Sequence, residues 1–85
     1  MAIPKFPEEF IQKAIRYIDE NGVPDQNRST KYELVTEDGK KYPPKYVIAI
    51  AVKLATGKEV QYGDYNAVEA KGFFESRGYM IDTKQ

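Results

Sequence analysis

Lys41, Tyr42 and Lys45 stand within five residues of one another, and Lys40 and Lys53 follow the same stretch of chain. A lysine ammonium meets a phosphate as a point charge, and an exposed tyrosine ring offers a face on which a base can stack. Together with Arg28 and Lys31 upstream, these residues form a candidate nucleic-acid-binding set. The competing reading is an ordinary solvated face, with Tyr42 half-buried and its hydroxyl in water.

Charge placement sharpens that candidate. From Arg28 to Lys58 the chain carries seven bases against three acids (+4), and the two flanks together carry six against ten (−4). A basic middle between acidic ends is a candidate anion-facing surface. The whole chain has no net charge, so DNA binding by this surface is expected to be weak and salt-sensitive.

Catalytic chemistry finds little to work with. The sequence has neither cysteine nor histidine, which removes thiol and imidazole nucleophiles, imidazole bases and the usual zinc ligands. Ser29 and Ser76 are the only serines, and neither sits in a glycine-flanked elbow. The six glycines are scattered rather than gathered into a phosphate-cradling loop. Glu37 and Asp38 are adjacent carboxylates that read as a solvated turn. Glu33 with Lys41 reads as a cross-strand surface pair. No catalytic residue, metal or cofactor is expected, and the chain is not expected to be an enzyme.

The elements that position the lysines follow from periodicity and caps. Eighty-five residues make a single domain, with its core expected over about residues 7–82. Phe10, Ile11, Ala14, Ile15 and Ile18 recur at helical spacing, which predicts a helix over residues 7–21 with Gly22 as a left-handed cap. Val23 is expected to fold back on that stripe. Residues 25–30 are polar and turn-rich and predict a loop. Tyr32, Leu34 and Thr36 alternate with Glu33 and Val35 as in a strand. The Asp38-Gly39 pair predicts a two-residue hairpin, and the return strand is short, residues 40–42.

Pro43 and Pro44 stop the pairing and open a helix over residues 44–56, ended by Gly57. Tyr46, Val47, Ile50, Ala51 and Leu54 fill one face of it, and Ile48, Val52 and Ala55 much of the other. Only Lys45, Ala49 and Lys53 make an outward line. A helix apolar on both faces is buried between layers. After a connector with an extended piece at residues 59–62, Asp64 is expected to cap a third helix reaching Arg77. Gly72 inside it costs roughly 1 kcal/mol relative to alanine, and a close packing contact is one explanation for it. Tyr79, Met80 and Ile81 form a candidate C-terminal strand, and residues 82–85 a frayed tail. Of the seven tyrosines, Tyr46 and Tyr79 are assigned to the core or its edge, and Tyr42 to a partly exposed turn. The fold class is therefore α+β, three helices with a small antiparallel sheet made of the hairpin and the candidate C-terminal strand.

The longest apolar run, residues 46–52, is far short of the ~20 residues needed to cross a bilayer. No signal peptide is read at the N-terminus. A cytoplasmic protein with no membrane partner is expected.

The order of these elements, with Asp38-Gly39-Lys40, Tyr42-Pro43-Pro44-Lys45, the Val47–Ala51 run and a terminal Gly78-Tyr79-Met80-Ile81, resembles the N-terminal head domain of McrA-type modification-dependent HNH restriction endonucleases. Related small domains occur in prokaryotic defence-associated proteins. The resemblance covers residues 10–81 and is sharpest over residues 38–51. It implies a nucleic-acid-processing context in which cutting belongs to a separate, histidine-bearing domain. Two readings compete. One is a non-catalytic nucleic-acid-binding or positioning module associated with restriction or defence. The alternative is a protein-protein interaction or assembly module with no nucleic-acid contact, docking through an aromatic surface or an open sheet edge.

Overall fold

The amphipathic stripe near the N-terminus becomes α1 (Glu9–Asn21), which buries Ile11, Ala14, Ile15 and Ile18. The computed structural model describes residues 6–24, 31–58 and 67–83. The expected loop at 25–30, the extended piece at 59–62 and the Asp64 cap lie outside the described residues. The helix begins two residues later than its proline suggests. The amides of Phe10 and Ile11 bond three residues back, to the carbonyls of Pro7 (3.0 Å) and Glu8 (2.9 Å), so the chain enters through a tighter turn. Gly22 ends it with φ 78° but ψ −178°, a glycine-only region other than the left-handed cap expected. Val23 does fold back against the core.

β1 (Tyr32–Val35) pairs antiparallel with β2 (Lys41–Tyr42), Val35 opposite Lys41 and Leu34 opposite Tyr42. The Thr36 amide donates to the Lys40 carbonyl (2.9 Å) and the Gly39 amide to the Thr36 carbonyl (2.9 Å). The loop thus holds three residues, Glu37, Asp38 and Gly39, not two. Gly39 has φ 83°, as a three-residue loop with a left-handed third position requires.

Pro43 is extended and Pro44 opens α2 (Pro44–Thr56), which Gly57 closes in the left-handed conformation. Val47, Ile48, Ile50, Ala51 and Val52 are all buried, because α2 lies between α1 and α3 (Ala67–Glu75) and touches β1. Leu54, expected in the core, is 41% exposed. The last turn of α2 runs past its partners, leaving Lys53, Thr56 and Gly57 exposed with it.

α3 buries Ala70 and Phe74 and ends at Glu75, short of Arg77. The Tyr79 amide reaches the Phe74 carbonyl (3.0 Å) and the Gly78 amide the Glu75 carbonyl (3.1 Å), with Gly78 at φ 85°. This is the Schellman pattern, and the Tyr79 ring completes it by packing edge-on against Phe74 at 5.6 Å. β3 (Met80–Thr83) then pairs antiparallel with β1, giving the sheet order β2-β1-β3. Asp82 and Thr83 are therefore strand residues, not tail, because each faces a β1 residue, Glu33 and Tyr32. Leu34, Tyr42 and Ile81 share the face turned to the helices, whereas Val35, Lys41 and Met80 share the outer face.

Gly72 does not mark a close contact. A β-carbon built there meets nothing within 4 Å, and the residue is exposed. Gly72→Ala is therefore expected to stabilise the domain by about 0.5–1 kcal/mol. Gly78→Ala also meets open space but must hold a positive φ, and is expected to destabilise by about 1–2 kcal/mol. Urea midpoints of the two variants should move in opposite directions; a shared sign would contradict these backbone assignments.

Candidate functional site

The two hairpin lysines do not share one surface. Lys40 immediately precedes β2 and Lys41 opens it, and successive side chains of extended chain take opposite faces. Lys40 turns to α1, its Nζ 3.9 Å from Asp19 Oδ2, and Lys41 lies on the outer sheet face, its Nζ 3.2 Å from Asp82 Oδ2. The β1–β2 register sets Lys41 opposite Val35 rather than Glu33. Lys31 is exposed just before β1, four residues and about 13 Å of strand away from Val35. Lys45 is half-buried in the first turn of α2, and Lys53 is exposed in the last, about 12 Å further along the axis. Arg28 lies outside the described residues.

Tyr42 corrects its expected position most clearly. It is only 5% exposed, and its hydroxyl donates to Asp19 Oδ1 at 2.6 Å. The ring fills the inner sheet face beside Leu34, so it is closed to a stacking base. Burial, and secondarily the Asp19 carboxylate, push the phenol well above its ordinary value. The unfolded chain therefore loses this proton first as pH rises. The stability associated with Tyr42 is complete below about pH 10 and is lost at up to about 1.4 kcal/mol per pH unit above it. Tyr42→Phe should flatten that part of the alkaline decline, as read from urea midpoints between pH 9 and 11. An unchanged slope would contradict the buried phenol.

Both hairpin ion pairs are about half exposed, so each contributes roughly 0–1 kcal/mol and weakens with salt. Their importance is electrostatic. Asp19 comes from the acidic N-terminal flank and Asp82 from the acidic C-terminal flank, and folding sets both against the basic hairpin. Charges that are segregated along the chain are intermixed in space.

A larger feature has no signature in the sequence. An open groove of about 680 Å³ runs between α1, the hairpin loop and the turn from α3 into β3. Glu8, Gln12, Ile15 and Asp19 form its helical wall, at spacings that share one helix face. Glu37 and Asp38 stand on the hairpin side, with Tyr79 and Met80 on the third. Gln12 Nε2 donates to the Tyr79 hydroxyl at 3.3 Å across the groove. The Thr36 hydroxyl donates to Asp38 and holds that carboxyl below its ordinary value. Four carboxylates line the groove against one cation, Arg77, whose guanidinium stacks on Phe73 at 3.8 Å. Glu8 and Asp19 lie eleven residues apart and the hairpin loop arrives from elsewhere in the chain, so no sequence window brings these acids together.

Among the described residues, no group of three or more acids could hold a metal ion, and no helix is long and apolar enough to cross a membrane. Comparison with protein-family models, with curated proteins and with solved structures finds no match to this chain.

Proposed function

We propose that the domain is a non-catalytic module that docks a protein partner. One observation carries this reading: the hairpin lysines already face carboxylates from both ends of the chain, and the groove beside them is itself lined with carboxylates. Such a field repels a polyanion and favours a partner with positive charge. The likeness of residues 38–51 to the head domain of McrA-type endonucleases fits a module working beside a catalytic domain, though fold-level analogy carries no chemistry of its own. The nucleic-acid-binding reading, resting on Lys31, Lys40, Lys41, Lys45 and Lys53, expects the opposite behaviour.

The immobilised full chain is expected to retain a protein from a lysate of its source cells after nuclease treatment. That protein, remade in pure form, should bind the domain at a fixed stoichiometry. Retention that disappears with the nuclease would overturn the reading in favour of a nucleic-acid module.

A further inference from the structure

We infer that the groove along α1 takes an extended segment of a partner protein in which an apolar side chain is flanked by lysine or arginine. The inference rests on the protein-docking reading and adds where the partner binds and what it must carry. Three observations support it. The helical wall from Glu8 to Asp19 spans eleven residues, about 16 Å, which accommodates about five residues of extended chain. The groove has an apolar lining in Ile15 on the helical wall and in the Tyr79 ring facing it. Val35 and Met80, cross-strand partners on the outer sheet face, border its rim, where Met80 is 66% exposed.

Charge complementarity selects the partner. Asp19 is already shared by the Tyr42 hydroxyl and the Lys40 ammonium, and Asp38 accepts from Thr36. Glu8 and Glu37 carry no such engagement among the described residues. They supply the unspent negative charge, one on the helical wall and one on the hairpin. A basic side chain on the incoming segment gains a carboxylate partner there, whereas an acidic one meets repulsion.

The test is a two-dimensional amide NMR titration of the full chain with three blocked five-residue probes: alternating lysine and leucine, alternating glutamate and leucine, and alternating lysine and serine. The lysine–leucine probe is expected to shift the amides of Gln12, Glu37, Gly78 and Met80, and to bind at least tenfold more tightly than either other probe. Its affinity should fall with salt. Glu8→Lys with Glu37→Lys should weaken it at least tenfold, and Met80→Ser severalfold. All three side chains are exposed, so the remaining spectrum should stay in place. Absence of shifts at millimolar probe, equal binding of the glutamate–leucine probe, or shifts confined to another surface would overturn the assignment. A natural partner retained equally by the Glu8→Lys, Glu37→Lys variant would overturn the groove while leaving the protein-docking reading intact.

Discussion

Replacing Phe74 with alanine is expected to cost about 3–5 kcal/mol, enough to unfold much of the population. Phe74 is fully buried and is the largest of the wholly enclosed side chains among the described residues. Its ring meets Phe73 edge-on at 5.1 Å and Tyr79 edge-on at 5.6 Å. It therefore joins α3 to the start of β3 as well as to the core. A domain of 85 residues has a total stability of about 4–13 kcal/mol, so this one truncation consumes a large share. Phe74→Leu keeps most of the volume and should cost clearly less. The check is a urea titration followed by far-ultraviolet circular dichroism. A loss below about 1.5 kcal/mol for Phe74→Ala would mean that the site collapses freely and that the aromatic row does not hold the α3–β3 corner.

Ile48→Ala comes next, at about 2–5 kcal/mol, and Leu54→Ala should cost less than about 1 kcal/mol. Residue type does not distinguish these two positions: both are large aliphatic side chains on one apolar helix. Ile48 is fully buried between layers, whereas Leu54 sits in the projecting last turn. The transfer and cavity costs of truncation scale with what is buried. Similar losses for the two variants, in parallel denaturant titrations, would place the last turn of α2 inside the core.

The contrast shows what was legible in the sequence. Pro44 and Gly57 mark both ends of α2, because a proline at the first helical position and a glycine just past the last act through purely local backbone sterics. The stripe Ile11, Ala14, Ile15 and Ile18 is legible because helical spacing gathers its apolar side chains on one face. Leu54, expected in the core, lies outside it because periodicity reports which face a residue occupies, not how far the neighbouring helices reach. The Asp-Gly pair signalled a hairpin correctly, but it suits a two-residue loop as well as a three-residue loop with a left-handed last position. The β1–β2 register settles which one forms. Gly72 looked like a packing device and is an open surface position.

The candidate site was less legible than the fold. The lysines were visible, and so was their excess over residues 28–58. Their partners were not, since Asp19 lies 21 residues before Lys40 and Asp82 lies 41 residues after Lys41. Ion pairs across such separations follow from tertiary packing, and no charge count along the chain contains them. Its place beside a turn suggests a partly exposed Tyr42. In the fold it pairs with Leu34 on the inner face of the sheet, and that pairing buries it.

Folding sets Asp19 and Asp82 from the acidic flanks against the basic hairpin, and the protein-docking proposal turns on that placement. The most direct measurement is an amide NMR titration of the full chain with a short DNA duplex and with a single strand, at low and at physiological salt. No saturable shifts are expected across residues 40–53 at physiological salt with either nucleic acid. Saturable shifts there that weaken steeply as salt rises, and that vanish in a Lys41→Glu, Lys45→Glu variant with an otherwise unchanged spectrum, would contradict that proposal.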